Sequence, residues 1–160
     1  MAVLRADYAT IRRVDIAVYK DEQLQLVVEA KSKIDATTDW AAQMRRNLVA
    51  HLAIPNSPFF LLALPDHFYV WRRVSSPLAV ISPDYDVDPT PLLSPYVTNG
   101  RQSLRTISEA GLILAVSSWL NIIVASGLNE ETAETQQAWL FESGLYRAIE
   151  GGVIKPQAMP

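Results

Sequence analysis

The sequence contains no cysteine among its 160 residues. This absence excludes a disulfide framework, a zinc site with cysteine ligands and a catalytic thiol. It fits a protein of the reducing cytoplasm, where disulfides are rare. The first ten residues also lack the apolar segment of a secretory signal peptide. We therefore expect a cytoplasmic protein.

The sequence has little net charge, since 14 Lys and Arg against 17 Asp and Glu give a formal value of −3. A strongly basic surface, the usual sign of nonspecific nucleic-acid binding, is therefore not expected. The charge is unevenly distributed. Residues 1–73 hold ten basic and eight acidic residues, whereas residues 74–160 hold four and nine. A polyanion would therefore approach the N-terminal half first.

Charged residues are absent from the segment Ala110 to Asn129, whose length approaches that of a membrane span. Polar side chains interrupt this segment and no basic cluster flanks it, so we expect no membrane contact. We expect instead a long helix at residues 104–128 that is buried on most sides, against the sheet or against another subunit. It would support a two-fold homodimer, with Trp119, Ile122 and Ile123 as interface anchors.

The first half of the chain shows the pattern of a mixed α/β domain. Residues 11–19 and 24–31 are rich in β-branched and apolar side chains and flank a short polar turn, so they predict a β-hairpin. A helix is expected next at residues 37–52, because capping side chains precede apolar residues at helical spacing. Two further strands are expected at residues 59–64 and 67–74.

The second half predicts a helical extension. Residues 75–100 are rich in Pro, Asp and Ser, so we expect an irregular surface connection there. The long helix should follow, then a last helix at residues 129–150 that ends at a Gly-Gly pair before a loose tail. The predicted fold class is α/β, a mixed β-sheet core with a C-terminal two-helix extension. One domain is expected over residues 1–160, with a core at 1–74, the connection at 75–100 and the extension at 101–152.

Three ionisable residues of the predicted hairpin suggest a chemical site. Glu29 and Lys31 are two residues apart on one strand, so they share a face, and Asp15 on the neighbouring strand can face them. Their flanks are apolar, and charged groups are costly to bury without a partner or a purpose. Two carboxylates offer hard oxygen ligands to Mg²⁺ or Mn²⁺. Such an ion can bind a phosphodiester and activate a water that a lysine orients.

Val14-Asp15, followed after the hairpin by Glu29-Ala30-Lys31, resembles the motif of the PD-(D/E)xK nuclease superfamily, which includes restriction endonucleases. The surrounding RRVDIAVY and LQLVVEAKSK are similar to the nuclease-like domain at the N-terminus of type I restriction enzyme motor subunits. The resemblance covers residues 8–74. It implies a restriction-endonuclease-like core and Mg²⁺-dependent cleavage of nucleic acid, with DNA expected and RNA permitted by the residues themselves.

The resemblance also implies a role for each matching residue. Asp15 and Glu29 would bind the metal ion, and the backbone carbonyl of Ala30 would be a further ligand. Lys31 would position the attacking water. Gln43, on the helix after the motif, matches a glutamine carried by some branches of the superfamily, which would contact the substrate or help order the site. The alternative for Gln43 is an exposed helix position without a role in the site.

Three basic residues are candidates for contacts with nucleic-acid phosphates, namely Lys33, Arg45 and Arg46. A solvated surface is the alternative for each of them. The same alternative applies to the hairpin, because a cross-strand salt bridge on an exposed face would also place opposite charges together.

The sequence departs from the superfamily at two points. Val14 replaces the proline of the motif, which is common there. The core of the superfamily usually opens with a helix, often with a further acidic residue, whereas the residues before Ile11 leave room for one short strand. Asp7 is a poor substitute for that acid. Either the C-terminal helices replace the opening helix, or a second subunit covers the face, or the start is truncated.

Two other functions are compatible with these observations. The first is a binding or regulatory module that keeps the nuclease fold without efficient cleavage. The second is an assembly subunit, whose apolar helix packs against a different protein such as a helicase or a methyltransferase.

Overall fold

The computed structural model describes residues 14–52, 54, 56–97 and 104–156. Strand β1 (Ile16–Lys20) and strand β2 (Gln23–Ala30) form the predicted antiparallel hairpin. Asp21 and Glu22 make the turn, and both have left-handed backbones, with φ of 53° and 66°. Turns of this kind suit the right-handed twist of a hairpin. Residues 11–13 of the predicted first strand lie outside the described residues.

A helical crossover then returns the chain to the sheet. Helix α1 (Thr38–Leu52) leads to strand β3 (Phe59–Ala63), which pairs in parallel with β2. Strand β4 (Phe68–Arg72) pairs antiparallel with β3. The predicted order of strand, strand, helix, strand, strand is therefore confirmed. Every residue of β3 is buried, as its apolar sequence predicts.

Two segments that were expected to be irregular add strands at the sheet edges. Strand β5 (Tyr85–Val87) pairs with β4, and the short helix α2 (Thr90–Leu93) follows it. A 3₁₀ turn at Ser94–Tyr96 comes next. The expected loose tail contains strand β6 (Val153–Pro156), which pairs antiparallel with β1. The predictions of an irregular connection and of a loose tail are wrong at these residues.

The C-terminal helices also differ from the prediction. Helix α3 spans Glu109–Ala125, which is shorter than the expected 104–128. It begins after Ser108, which caps it by accepting a hydrogen bond from the amide of Gly111, and it ends before Gly127, whose φ is 62°. The expected helix at 129–150 is instead a 3₁₀ turn at Thr135–Gln137 and two short helices. These short helices are α4 (Ala138–Glu142) and α5 (Leu145–Ile149). The prediction of a C-terminal extension made of two helices is therefore wrong.

The sheet has the strand order β5-β4-β3-β2-β1-β6, and β2 with β3 is its parallel pair. Helix α1 covers one face, where Leu48 and Val49 join Val27 and Leu62 in a buried cluster. Helices α3, α4 and α5 cover the other face. The fold is a mixed α/β arrangement of a mostly antiparallel open sheet between two helical layers.

Helix α3 buries much of the surface that was expected to meet a second subunit. Trp119 and Ile123 are each 2% exposed within the core of the chain. Of the three predicted anchors, Ile122 is exposed, and Leu114 lies exposed on the same helix. Among the described residues, none of the helices combines the length and apolar character needed to cross a membrane.

Candidate active site

The antiparallel register of the hairpin places two acidic residues opposite each other. Ile16 pairs with Val28. Continued by one residue, the same register places Asp15, just before β1, opposite Glu29. Side chains alternate along a strand. Because Val27 belongs to the cluster beneath α1, Glu29 faces the same side of the sheet. Asp15 shares that face with Ala17 for the same reason.

Two hydrogen bonds connect these residues across the hairpin. The main-chain N–H of Asp15 donates to Oε2 of Glu29 at 2.7 Å, and the main-chain N–H of Ala30 donates to Oδ2 of Asp15 at 2.8 Å. Each carboxylate therefore binds a main-chain amide of the opposite strand where β1 begins. The sequence prediction that the hairpin brings Asp15 and Glu29 together agrees with this geometry.

Glu29 is buried, with 4% of its surface exposed. Burial raises the pKa of its carboxyl from 4.5 to about 7, although the hydrogen bond from Asp15 and the charge of Lys31 oppose the rise. The negative charges of Asp15 and Glu109 raise the pKa of Glu29 further. Near neutral pH, Glu29 is thus close to half ionised, and a nearby cation would favour its charged form.

Lys31 follows β2 directly and is half-buried. Its main-chain N–H donates to the carbonyl of Ala63 at 3.0 Å, so the parallel pairing with β3 continues past the strand end. Alternation places its side chain on the face of Glu29. Its ammonium is close enough to lower the pKa of Glu29. Asp15, Glu29 and Lys31 therefore lie at one end of β2, and among the described residues Lys31 forms no ion pair with either carboxylate.

The carboxylates of Asp15 and Glu29 are the groups of this site that could bind a metal ion. Over residues 14–52, 54, 56–97 and 104–156, no group of three or more His, Cys, Asp or Glu side chains is arranged to hold a metal ion. Among the hydrogen bonds between described residues, Oδ1 of Asp15 and Oε1 of Glu29 accept none. Two carboxylate oxygens suit Mg²⁺ or Mn²⁺, which fill their remaining positions with water and phosphate oxygens. The donor set thus fits a loosely held hard cation.

The other predicted site residues are spread along the chain after β2. Gln43 is exposed on α1 and makes no hydrogen bond to Asp15, Glu29 or Lys31. Lys33 is also exposed, with Nζ 5.2 Å from the centre of the Trp40 ring.

The two arginines of α1 have different surroundings. Arg46 is exposed and donates from Nε to the carbonyl of Leu78 at 3.3 Å. Arg45 is 2% exposed beneath the same connection, a position that does not suit a surface contact with a phosphate.

The structure adds one acidic residue that the sequence did not indicate. Glu109 is the first residue of α3 and is exposed, yet its charge contributes to the raised pKa of Glu29. It lies 80 positions from Glu29 in the chain. No motif or spacing connects the two, since their proximity depends on how α3 packs against the sheet.

Comparisons of the chain with protein-family models, with curated proteins and with solved structures find no match.

Proposed function

We propose that the chain is a Mg²⁺-dependent phosphodiesterase of restriction-endonuclease-like fold that cleaves nucleic acid, with DNA as its substrate. The observation that carries the proposal is the pairing of Asp15 with the buried Glu29 at one end of β2, where the charge of Lys31 also acts on Glu29. A carboxylate pair beside a lysine suits the binding of a hard cation and the activation of a water.

The order of elements around this site supports the proposal. The motif lies on a hairpin, a crossover helix follows, and β3 then pairs in parallel with β2. Strand β6 lies beside β1, and α3 covers the sheet face opposite α1. These C-terminal elements flank the hairpin that carries the motif.

The chain's own residues have distinct tasks in this reaction. A bound Mg²⁺ or Mn²⁺ would supply the positive charge that stabilises the attacked phosphate. Asp15 and Glu29 would hold the ion, and the carbonyl of Ala30 is suited to join them because the Ala30 amide is already fixed to Asp15. Lys31 would donate a hydrogen bond to the attacking water and offset negative charge at the phosphate. Gln43 is proposed to contact the substrate from α1, as are Lys33 and Arg46.

A cleavage assay with matched variants tests the proposal. Supercoiled plasmid is incubated with the protein and Mn²⁺ or Mg²⁺, and nicked and linear products are quantified. Lys31→Met should lower the rate at least about a hundredfold, the effect of losing a group that activates water. Lys155→Met removes an exposed lysine of β6 that has no proposed role in the site, so it should leave the rate nearly unchanged. Full activity in Lys31→Met would contradict the proposed mechanism.

Two acidic variants complete the assay. Asp15→Asn should abolish cleavage, whereas Asp39→Asn, at an exposed position in the first turn of α1, should retain it. Circular dichroism verifies that each variant is folded. Absence of cleavage of duplex, single-stranded and branched DNA and of RNA, with either metal, would contradict the nuclease proposal as a whole.

One observation favours a second candidate, a nucleic-acid-binding module without efficient cleavage. Both site carboxylates already accept main-chain hydrogen bonds, so the pair has a structural role even without an ion. This candidate predicts a mobility shift of DNA that persists in Asp15→Asn and weakens steeply with salt. Binding without cleavage in the wild type would favour it over the nuclease.

A further inference from the structure

Arg45 is a buried cation in an aromatic environment. It lies on α1, and its Cζ is 6.0 Å from the ring centre of Phe60 and 5.8 Å from that of Trp71. The residue is 2% exposed. One guanidinium nitrogen, Nη1, donates to the carbonyl of Pro77 at 3.2 Å. Its Nε is buried and has no hydrogen-bond acceptor among the described residues.

No carboxylate of the described residues forms an ion pair with Arg45. Burial lowers its pKa, but a guanidinium does not lose its proton in a protein. The positive charge therefore persists in a site where it is poorly solvated. A buried charge of this kind is normally balanced by a charge of opposite sign.

Arg45 lines a small cavity between α1 and β4 together with a second arginine, Arg73. The cavity has a volume of about 10 Å³, and no Asp or Glu lines it. Asn56 and Ser57 also line it, but their side chains already donate to the carbonyls of Val74 and Phe59. Arg45 and Arg73 are therefore the charged residues among those that line it.

The backbone at Arg73 is strained. Its φ is 50°, in the left-handed region that a non-glycine residue rarely occupies, and its N–H donates to the carbonyl of Pro58 at 2.7 Å. Such strain is often found at binding sites, where surrounding structure fixes the conformation. Here the strained residue lines the same cavity as Arg45.

We propose that the cavity between α1 and β4 is an anion-binding site, in which Arg45 is the buried donor and Arg73 the outer donor. The volume sets the size of the ligand, because about 10 Å³ holds roughly one water-sized group. The site therefore accepts a halide ion, or a single oxygen of a phosphate whose remaining atoms lie outside. This inference is independent of the proposed nuclease activity.

Thermal unfolding in different sodium salts tests the proposal. Chloride, bromide and inorganic phosphate are each titrated as the sodium salt and compared at equal ionic strength, so that a general salt effect is common to all three. In the wild type, the unfolding temperature should begin to rise near the dissociation constant of the anion that binds and then increase with the logarithm of its concentration. A chloride response identifies a halide site, and a response to phosphate alone identifies an oxyanion site. No response to any of the three would overturn the proposal.

Arginine variants test whether the rise in unfolding temperature comes from an anion bound in this cavity. Arg45→Met should abolish it while keeping an apolar side chain beside Phe60 and Trp71. Arg73→Asn, which tolerates the left-handed backbone, should weaken anion binding about tenfold, the effect of one charged hydrogen bond. Arg73→Lys should retain most of the affinity. Arg46→Gln removes an exposed arginine that does not line the cavity and should have no effect.

The Arg73 variants keep the test decisive if Arg45→Met does not fold. An equal anion response in the wild type and in Arg73→Asn would contradict the proposed site. Crystals soaked in sodium bromide give an independent measurement, with an anomalous peak expected beside Nε of Arg45. Bromide peaks at other arginines alone would also contradict it.

Discussion

The main-chain N–H of Asp15 donates to Oε2 of Glu29 at 2.7 Å, so the first residue of the acidic pair fixes the carboxylate of the second. This hydrogen bond favours the ionised form of Glu29, yet the pKa of Glu29 is still raised to about 7 because burial has the larger effect. The arrangement keeps a poorly solvated carboxylate in a fixed position. A site of this kind is less stable alone than with a cation bound.

The first prediction concerns stability and pH. The pKa of Glu29 is about 7 in the folded chain, against 4.5 as its ordinary value, so the folded state binds more protons between these pH values. Its contribution to stability is fully present below pH 4.5 and is lost as the pH rises through 7. Relative to Glu29→Gln, which cannot ionise, the wild type should lose about 3 kcal/mol of unfolding free energy by pH 8.

Urea denaturation of both proteins from pH 4.5 to pH 8 measures this difference. Glu142→Gln, which removes an exposed glutamate on α4, serves as the control and should follow the wild type. A constant difference between Glu29→Gln and the wild type at all pH values would contradict the assigned pKa.

The second prediction concerns metal binding. A proton and a metal ion compete for Glu29, so the affinity for Mn²⁺ should fall about tenfold for each pH unit below 7. Titration calorimetry at pH 5.5, 6.5, 7.5 and 8 measures this dependence. Asp15→Asn and Glu29→Gln should each abolish binding, and Asp39→Asn should not. Affinity that is unchanged between pH 5.5 and 7.5 would show that Glu29 is not a ligand.

The parts of the fold with local signals were predictable from the sequence. The hairpin, α1, β3 and β4 follow from side-chain periodicity, capping residues and proline breaks within short stretches of chain. Strand β6 could not be predicted in this way. It has four residues after two glycines, and its partner β1 lies more than 130 residues earlier. Its formation depends on a long-range pairing rather than on local propensity.

The last predicted helix failed for a different reason. Apolar residues at helical spacing continue across Ser143 and Gly144, but Gly144 has a left-handed φ of 85°. Oγ of Ser143 accepts a hydrogen bond from the amide of Leu145 and offers the chain an alternative to continuous helix. Such local competition is decided by packing, which the sequence pattern does not describe.

In the candidate site, too, some features follow from local sequence signals and others depend on packing. Asp15, Glu29 and Lys31 lie on one hairpin, so strand alternation alone places them together. The contribution of Glu109 depends on the packing of α3 and could not be predicted. Arg45 was expected at the surface because arginines usually are, whereas aromatic residues of β3 and β4 enclose it.

The third prediction concerns the hairpin turn. Asp21 and Glu22 both have left-handed backbones, which asparagine and glycine adopt at lower cost. The double variant Asp21→Asn, Glu22→Gly should therefore stabilise the protein by about 1 kcal/mol. Replacing both residues with alanine should not, since alanine also disfavours this conformation. Urea denaturation measures both. A double variant less stable than the wild type would contradict the turn geometry.

The fourth prediction tests the pairing of β6 with β1. A Cβ added at Gly152 would lie 2.5 Å from the carbonyl oxygen of Tyr19 and 2.8 Å from that of Ile149. Both contacts are with main chain, so Gly152→Ala should force β6 away from β1 and destabilise the protein by about 2 kcal/mol. Gly151 is the matched control, because a Cβ there meets no atom within 4 Å. Its left-handed φ of 71° should limit the cost of Gly151→Ala to about 1 kcal/mol.

Hydrogen exchange at the amides of β1 distinguishes the two glycine variants by a measurement other than their stability. The amides of β1 that pair with β6, at Ala17 and Tyr19 among others, should exchange faster in Gly152→Ala because the edge of the sheet opens. The same amides should keep nearly wild-type protection in Gly151→Ala, since its strain lies in the turn before β6. If both variants lose equal stability and equal protection, the tight approach of Gly152 to Tyr19 does not hold β6 on the sheet.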